Sequence, residues 1–463
     1  MNRLKRVEIS YRQPEDRIKD FGEVCLGYTA EEAVAEAKRC LQCKNPLCVS
    51  GCPVAIDIPA FIKAISQENF AKAFEILSTY TSLPAVCGRV CPQEDQCEKV
   101  CILGRKGDPI AIGKLERFAA DYALENNLQV ATSSENKDQK VAVVGSGPAG
   151  ITCAGELAKI GYQVSLFEAL HKTGGVLTYG IPEFRLPKEK IVAKEIANLE
   201  KLGVEIKKNT LIGRTHTVDD LFAAGYQAVF LGSGAGSPVF MNIPGENLNG
   251  VFSANEFLTR ANLMEAYKKS SDTPIHLGKE VLVVGGGNVA MDAARTAKRF
   301  GSKVKVIYRR TKDELPAREE EVENAIEEGI EFLFLANPIE ILGDEKGWVK
   351  EVKARKMTLG PADQSGRRRP IPVEGSDFSF PVDTVIIAIG TNPNPLISQT
   401  TLDLEVDQKK RILADEFGLT NKEGVFAGGD CVSGSATVIL AMGAGKKAAQ
   451  AIDQYLKQKK KEA

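Results

Sequence analysis

Cysteines crowd into the first quarter of this sequence. Nine of the 11 lie between Cys25 and Cys101. Most belong to two runs, Cys40-x2-Cys43-x4-Cys48-x3-Cys52-Pro53 and Cys87-x3-Cys91-Pro92-x4-Cys97-x3-Cys101. Short cysteine runs with a Cys-Pro step hold cuboidal iron–sulfur clusters, because several thiolates must converge on one small cluster from a tight loop. Zinc also binds Cys-x2-Cys pairs, but two runs upstream of a nucleotide motif favour iron–sulfur clusters.

A dinucleotide motif follows an apolar strand in the middle of the chain. Residues 141–144 run into Gly145-x-Gly147-x-x-Gly150 and a helical segment, and Glu168 ends the next strand. Such glycines let the backbone approach a pyrophosphate, the helix N-terminus supplies partial positive charge, and Glu168 can accept hydrogen bonds from a ribose diol. A merely tight βα turn is the alternative. Strand, turn, helix and acid in register predict a nucleotide site, which we interpret as the FAD site.

Two later segments can complete a flavin site. Gly175, in a Gly-Gly pair, can bring backbone amides to the pyrophosphate, although an ordinary surface turn would also explain the pair. Near the C-terminus, Gly429 precedes Asp430, whose carboxylate can hydrogen-bond a ribityl chain. Thr437 precedes a long predicted helix, and the N-terminus of that helix can stabilise negative charge on a reduced isoalloxazine.

A second dinucleotide motif follows another apolar strand and also opens a helix: Gly285-x-Gly287-Asn288-x-Ala290. Counting 23 residues from the leading glycine reaches Glu168 in the first copy but Tyr308 in the second. Arg309 and Arg310 follow. Without a carboxylate, a 2′-phosphate meets no repulsion, and guanidinium groups bind phosphate in bidentate fashion. The second site is therefore predicted to take NADP(H) rather than NAD(H), with two solvated arginines as the alternative.

Composition excludes several classes of function. The chain has 463 residues, too many for one core, with 60 basic and 61 acidic side chains. This balance gives no reason to expect nucleic acid or an acidic membrane surface as partner. No apolar run reaches the ~18 residues of a membrane span, and the N-terminus has no apolar core of a signal peptide. We expect a cytoplasmic protein, in which crowded cysteines favour metal over disulfides.

The predicted fold is α/β with an N-terminal all-α iron–sulfur domain, residues 1–138. Within it, Thr29-x-x-Glu32 is a capping box that opens a helix with Ala33, Val34, Ala37 and Leu41 on one face. Further helical runs are 58–66, 69–77 and 110–124.

Two Rossmann-like domains follow, one inserted into the other. Segments 228–238 and 384–395 echo each other, since both are strands that end in a Gly/Pro turn. The second motif lies between them, so the chain leaves one domain, builds another and returns. We expect an FAD domain formed by 139–262 and 383–463, with an NADP(H) domain, 263–382, between them.

From about residue 22 to its end, the sequence resembles two related proteins. One is the small subunit of NADPH-dependent glutamate synthase. The other is the large subunit of NADH-dependent ferredoxin:NADP oxidoreductase, a flavin-bifurcating enzyme. The N-terminal half also resembles part of dihydropyrimidine dehydrogenase. The segments that carry the resemblance are 40–53, 83–92, 112–116, 175–188 and 427–430, and segment 12–24 favours the ferredoxin:NADP type.

The resemblance implies two [4Fe-4S] clusters, one FAD and one NADP(H) site. It also implies the ligands: Cys40, Cys43, Cys48 and Cys101 for one cluster, and Cys52, Cys91, Cys97 and Glu116 for the other. Counting thiols alone would instead make Cys87 a ligand. The resemblance leaves Cys87 out, because dihydropyrimidine dehydrogenase has a glutamine ligand at the position of Glu116.

These parts predict an NADP(H)-dependent oxidoreductase subunit. NADPH releases a hydride whereas clusters take single electrons, so a flavin that handles both must lie between them. We expect electrons to pass to or from a second redox subunit, with ferredoxin as a candidate further partner, in an enzyme of the bifurcating type. The alternatives are a glutamate synthase small subunit, with an amidotransferase partner, and a passive electron-transfer module. No side chain is predicted to act as a catalytic acid or base.

Overall fold

The computed structural model of the protein describes residues 3–128, 136–363 and 366–462. Its N-terminal unit is mainly helical, as expected: α1 Pro14–Arg17, α2 Ala30–Ala37, α3 Leu47–Ser50, α4 Ile58–Ser66, α5 Phe70–Tyr80, α6 Pro84–Val90 and α7 Ile112–Glu125. Two 3-10 turns, Gln93–Asp95 and Ile102–Arg105, lie between α6 and α7. The all-α prediction misses one short antiparallel ladder, formed by β1 (Ser10–Tyr11) and β2 (Cys25–Gly27).

The predicted capping box starts α2. Thr29 Oγ1 accepts a hydrogen bond from Glu32 N at 3.2 Å, and the Glu32 carboxylate accepts one from Thr29 N at 2.8 Å. The prediction that Leu41 lies on the apolar face of this helix is wrong. The helix ends at Ala37, and Leu41 is 44% exposed, because the loop that carries Cys40 and Cys43 begins there.

The first nucleotide unit is built on a five-stranded parallel sheet. Its elements up to the inserted unit are β3 Lys140–Val144, α8 Pro148–Lys159, β4 Gln163–Phe167, α9 Val176–Tyr179, α10 Ala193–Lys201, β5 Glu205–Lys207, α11 Val218–Ala223, β6 Ala228–Leu231 and β7 Ser237–Pro238. A π-helical turn, Lys188–Val192, leads into α10. Strands β3, β4 and β6 are buried almost throughout, as expected for a parallel sheet covered on both faces.

The second nucleotide unit has its own five-stranded parallel sheet. Its elements are β8 Val251–Ser253, α12 Ala254–Asn262, β9 Glu280–Val284, α13 Asn288–Arg299, β10 Lys303–Tyr308, α14 Glu319–Glu327, β11 Glu331–Phe334, β12 Ala336–Gly343, β13 Val349–Ala362, β14 Arg368–Pro381 and β15 Thr384–Ile387. Strands β12, β13 and β14 form a separate antiparallel sheet, which the sequence analysis did not predict.

The chain then returns to the first unit. The returning elements are β16 Thr391–Asn392, α15 Leu396–Thr400, β17 Val425–Ala427, α16 Asp430–Ser433 and α17 Val438–Glu462. Strand β17 pairs with β6, which completes the order β17-β6-β3-β4-β5. The two connections between the units run side by side, because β7 and β16 pair in antiparallel fashion.

This topology confirms the predicted insertion of one Rossmann-like unit into another. The two similar strand segments noted in the sequence, β6 and β15, also occupy equivalent positions. Strand β6 lies next to β3 in the first sheet, and β15 lies next to β9 in the second. The second sheet extends beyond the expected range 263–382 at both ends, because it includes β8 before that range and β15 after it.

Candidate functional site

The first glycine motif joins β3 to α8. Gly145 has a φ of +96°, and a Cβ there would lie 2.5 Å from Gly232 O. A Cβ on Gly150 would lie 1.9 Å from Gly145 O, so the start of the helix packs directly on the turn. Beside Gly147 there is open space, since no heavy atom lies within 4 Å of a Cβ built there. That space, at the N-terminus of α8, is a cradle that a side chain would fill and that a pyrophosphate fits.

Glu168 follows β4 and is bonded back to the glycine loop. One carboxylate oxygen accepts from Ser146 N at 3.0 Å, the other accepts from Leu170 N at 2.7 Å, and Ser146 Oγ also donates to the carboxylate. These bonds fix the orientation of Glu168 against the loop. A carboxylate has about four lone-pair sites, so Glu168 can still accept hydrogen bonds from a ribose.

The residues predicted to complete the flavin site come from two later segments that approach this loop. Gly175 has a φ of +54°, and a Cβ there would lie 2.8 Å from Gly147 Cα. Asp430 accepts a hydrogen bond from Ala436 N at 3.2 Å, and burial raises the pKa of its carboxyl group. Thr437 caps α17, with its Oγ1 3.4 Å from Leu440 N. The start of α17 therefore faces the same space.

The second glycine motif repeats this arrangement between β9 and α13. Gly285 has a φ of +137°, and a Cβ there would lie 2.3 Å from Ala388 O. The nearest atom to a Cβ on Gly287 would be Pro316 Cγ, at 4.0 Å. Asn288 Oδ1 accepts a hydrogen bond from Arg318 N at 3.0 Å. Ala290 is fully buried at the third motif position.

Three arginines gather at the far end of the second unit. Arg309 and Arg310 follow β10, and Arg367 reaches the same place from the connection between β13 and β14. Burial, followed by the charge of Arg310, lowers the pKa of Arg309. None of the three forms an ion pair with a carboxylate in the part of the chain that the structure describes. Sequence reasoning missed Arg367, since it lies 57 positions after Arg310 and joins the cluster only through the antiparallel sheet.

One cleft of about 1300 Å³ runs across both units. The predicted residues that line it are Gly145, Gly147, Glu168, Gly175, Gly285, Gly287, Asn288, Arg309, Arg310, Asp430 and Thr437. Gly150, Gly429 and Ala290 do not line it and instead allow close packing around the glycine loops. Val90 and Pro92 of the N-terminal unit also line the cleft, on either side of Cys91. The cysteine-bearing unit thus reaches the nucleotide cleft directly.

Seven of the nine cysteines in the N-terminal unit form two groups in space, and Cys25 and Cys87 are the other two. Cys40, Cys43, Cys48 and Cys101, which we call the outer group, are partly exposed. Cys40 lies close enough to Cys43 and Cys101 for their charges to raise its pKa, although burial is the larger cause. Burial raises the pKa of Cys48 to about 11, with Cys40 and Cys101 adding to the effect.

The inner group lies deeper and contains Cys52, Cys91, Cys97 and Glu116. Burial raises the pKa of Cys52 to about 11, with Glu116 and Cys91 adding to it. The pKa of Cys97 is raised well above its usual value by burial, then by the charge of Glu98, with smaller contributions from Glu116, Cys52 and Cys91. Burial thus disfavours the thiolate forms of Cys52 and Cys97, and a bound cation would favour them.

Glu116 is the unusual member of the inner group. It is 6% exposed, and its buried Oε1 has no hydrogen-bond partner. Burial raises the pKa of its carboxyl group well above 4.5, and the charge of Cys91 raises it further. An unsatisfied buried carboxyl oxygen among thiols is costly, and a metal ligand role would remove that cost.

Cys87 also lies next to the inner group. It is fully buried, and a hydrogen bond with Cys91, together with burial, raises its pKa. Its Sγ is 3.6 Å from Met442 Sδ of α17. Both candidates for the last ligand, Cys87 and Glu116, are therefore within reach of Cys91.

Among the described residues, no three histidine, cysteine or carboxylate side chains converge tightly enough for a single metal ion. Ligands of a cuboidal cluster bind separate iron atoms at its corners and are spaced more widely. Within the same residues, no helix has the length and apolarity needed to cross a membrane.

Two family descriptions match the chain. Residues 17–128 match dihydropyrimidine dehydrogenase domain II, 4Fe-4S cluster, and residues 139–453 match pyridine nucleotide-disulphide oxidoreductase. Solved structures with the same fold include Mycobacterium tuberculosis FprA in complex with NADPH, with a TM-score of 0.60 and 20% identity over 70% of this chain and 86% of that one. Lactococcus lactis thioredoxin reductase has a TM-score of 0.51 and 24% identity over 69% of this chain and 100% of that one.

Curated relatives match over nearly the whole sequence. The glutamate synthase [NADPH] small chain of Halomonas elongata is 38% identical over 98% of each chain, and that of Escherichia coli is 37% identical over 98% of each. The NADP(+)-dependent formate dehydrogenase subunit beta of Moorella thermoacetica is 40% identical over 89% of this chain and 60% of its own length. The chain therefore belongs to the glutamate synthase small-subunit family of NADPH-dependent iron–sulfur flavoprotein oxidoreductases, with FAD, NADP(H) and [4Fe-4S] clusters as its cofactors.

Proposed function

We propose that this chain is the electron-input subunit of an NADPH-dependent glutamate synthase. In this proposal it oxidises NADPH and delivers electrons to a second subunit that carries the amidotransferase. The supporting observation is co-linearity, since the chain and the Halomonas elongata small chain each align over 98% of their length. Relatives with other names extend well beyond the match, and this chain spans 60% of the formate dehydrogenase subunit and 69% of the NADPH-Fe(3+) oxidoreductase subunit of Geobacter sulfurreducens.

The sequence-based preference for the bifurcating type has less support than its alternative. That preference came from segment 12–24, whereas relatives that align over at least 96% of their own length are glutamate synthase small chains. A cytoplasmic location is part of the proposal, because NADPH and eleven free cysteines suit a reducing compartment.

The two halves of the cleft have separate roles in the proposal. The first glycine loop, Glu168, Gly175 and Asp430 hold FAD, and the second loop holds the pyrophosphate of NADP(H). Arg309, Arg310 and Arg367 surround the 2′-phosphate, where three guanidinium groups without carboxylate partners supply charge-assisted hydrogen bonds. When bound, FAD exchanges a hydride with NADPH and single electrons with the clusters.

The two cysteine groups are proposed as the cluster ligands, as the resemblance implies. Cys40, Cys43, Cys48 and Cys101 would hold an outer cluster, and Cys52, Cys91, Cys97 and Glu116 an inner one. Support comes from the spatial grouping of the thiols and from the unsatisfied oxygen of Glu116. The inner group adjoins the cleft and the outer group adjoins the surface, an order that suits transfer from flavin to partner.

The surface around the outer group suits a partner subunit. Four large apolar side chains are exposed there: Leu41, Leu47, Val100 and Ile102, each between 37% and 44%. A Cβ on Gly51 would lie 2.8 Å from Val100 Cγ2, so the segments that carry Leu47 and Val100 adjoin. Apolar side chains grouped around a redox centre are typical of a docking surface.

The test of the proposed function is anaerobic co-purification from the native host, followed by an NADPH oxidation assay. A partner of amidotransferase size and glutamine-dependent oxidation of NADPH would support glutamate synthase. A partner that carries its own flavin and nicotinamide site would contradict the proposal and restore the bifurcating type. Leu47→Glu should weaken the partner complex, whereas Leu402→Glu, at a leucine that is 73% exposed elsewhere, should not.

The assignment of the last inner ligand is tested separately. Glu116→Ala should change the iron content or the spectrum of the reduced clusters, because it removes an anionic oxygen ligand. Cys87→Ser should leave both unchanged. The reverse result, with a cluster lost in the cysteine variant alone, would make Cys87 the ligand.

A further inference from the structure

Helix α17 links the flavin side of the cleft to the inner cysteine group. Its first turns line the cleft through Val438 and Ala441. The next residue, Met442, contacts Cys87, with 3.6 Å between the two sulfur atoms. A Cβ on Gly443 would lie 3.0 Å from Pro53 O, so the helix also packs directly on the loop that follows Cys52.

One turn further along α17, Lys446 points its amine into this loop. Its Nζ donates to Val54 O at 3.0 Å and to Tyr80 O at 2.9 Å. Val54 lies two residues after Cys52, so the ammonium group is held at the backbone of the cluster-binding loop. Cys52 is close enough for a thiolate there to interact electrostatically with Lys446.

Protein groups offset the charge of Lys446 only in part, since the Tyr80 ring centroid lies 5.3 Å from its Nζ, which is a weak cation–π contact. Within the described residues Lys446 forms no ion pair, and the carboxylate that influences it, Glu156, is paired with Lys159 at 2.9 Å. A partly buried cation without a carboxylate partner is unfavourable unless another negative charge lies nearby. A cluster held by thiolates at Cys52 and Cys91 supplies such a charge.

A fixed cation near an iron–sulfur cluster changes its reduction potential. Reduction adds one negative charge to a centre that is already anionic, and a nearby positive charge favours that reduced state. The effect is strong in a site shielded from water, where charges interact through a lower effective dielectric. Cys91 and Cys97 of the inner group are buried, whereas the thiols of the outer group are partly exposed.

We propose that Lys446 is a positioning residue that raises the reduction potential of the inner cluster and so favours its acceptance of an electron from the flavin. This inference rests on the proposed function, in which Cys52 is a ligand of that cluster. Lys446 is not among the residues that line the nucleotide cleft. Its effect is electrostatic, and it acts from the same helix whose N-terminus faces the flavin.

The experiment compares Lys446→Gln with the native protein, each purified anaerobically with its cofactors. Glutamine keeps a hydrogen-bond donor for the carbonyl oxygens of Val54 and Tyr80 but has no charge. Redox titration followed by the spectrum of the reduced clusters should show the inner-cluster midpoint shifted to a more negative potential, with the outer-cluster midpoint unchanged. Lys447→Gln, at the exposed next residue of α17, is the matched control and should shift neither.

The outcomes separate this inference from the proposed function. Unchanged midpoints in Lys446→Gln, with full iron content, would overturn the inference and leave Lys446 as a cap for two carbonyl groups. Native protein without an inner cluster would contradict the proposed cofactor assignment itself. Lys446→Met, which loses both charge and donor, should shift the midpoint in the same direction as Lys446→Gln; a shift in Lys446→Met alone would also overturn the electrostatic account.

Discussion

The two nucleotide units share the same arrangement of strand, glycine loop and helix, which we call the frame. They differ in the charged residues that follow the second strand of each unit. In both, the leading glycine has a positive φ, +96° at Gly145 and +137° at Gly285. Each also packs against the end of a neighbouring strand. A Cβ added to Gly145 would lie 2.5 Å from Gly232 O, and one added to Gly285 would lie 2.3 Å from Ala388 O. The frame makes room for a pyrophosphate. The ends of the second strands differ, with the Glu168 carboxylate in one unit and arginines in the other. The comparison teaches that the glycine loops are alike and the flanking charges differ, and in the proposed assignment those charges choose the nucleotide.

The units also differ in how their loops are anchored. The second loop is fastened to the cysteine-bearing unit through Arg318, which is 6% exposed. Its backbone N–H donates to Asn288, while its guanidinium donates to Arg89 O at 3.1 Å and to Gln93 Oε1 at 3.0 Å. Both acceptors lie within two residues of Cys91. The Arg318 side chain thus ties the second loop to residues beside the inner cysteine group, and a Lys114–Glu320 ion pair at 2.9 Å joins the same two units.

The largest expected effect comes from breaking this anchor. Arg318→Met should destabilise the protein by about 3–5 kcal/mol, because it removes one partner from a buried set of ion pairs and hydrogen bonds. Thermal unfolding of the purified variant measures the loss. Arg260→Met removes an exposed pair on α12 with Glu256 and should cost under about 1 kcal/mol. Equal losses in the two variants would show that Arg318 does not anchor the loop.

The charge difference is tested by replacing the arginines of the second unit. Arg309→Gln combined with Arg310→Gln should weaken NADPH binding by about 3 kcal/mol, the order expected for losing charge-assisted bonds, while sparing NADH. Titration of each coenzyme measures the two affinities. Arg369→Gln, near Arg367 in sequence but outside the cleft, is the control. Equal losses for NADH and NADPH would make the arginines structural.

The shared frame is tested at its third position, which is Gly150 in one unit and Ala290 in the other. Gly150→Ala should destabilise the first unit by about 2 kcal/mol and reduce bound FAD, since the new Cβ meets Gly145 O at 1.9 Å. Ala290→Gly should cost about 1 kcal/mol, the usual penalty for glycine in a helix. Flavin content and unfolding temperature are the measurements. A Gly150→Ala protein that binds as much FAD as the native protein would show that the first unit tolerates alanine at this position, as the second unit does at Ala290.

The smallest expected effect is at Arg367. Arg367→Gln should weaken NADPH binding by about 1 kcal/mol, because this arginine is exposed and water screens its charge. Raised salt should reduce the difference between variant and native protein. A loss as large as that of the Arg309 and Arg310 double change would make Arg367 the main phosphate ligand, and the second unit's choice of coenzyme would then depend on β13 and β14.

Local sequence determined much of this protein. The glycine motifs, the capping box at Thr29 and the helix over Ile58–Ser66 are confirmed, because each depends on backbone conformation and hydrogen bonds within a few residues. The insertion of the second unit into the first could also be predicted from the sequence, since two similar strand segments mark where the chain leaves the first unit and where it returns. The family resemblance supplied the cofactors. The prediction that Leu41 lies on the buried helix face was wrong, because the helical spacing of apolar residues continues in the sequence after the helix has ended at Ala37.

Only the tertiary structure decided which distant residues meet. Spacing does not show that Cys101 lies with Cys40 and Cys48, or that Arg367 reaches Arg309 by way of an antiparallel sheet. The sequence likewise gives no sign that Glu116 Oε1 is left unsatisfied or that Lys446 reaches the loop after Cys52. The physical reason is that these contacts join segments separated by tens to hundreds of residues. Their geometry is set by how helices and sheets pack, which local propensity does not encode.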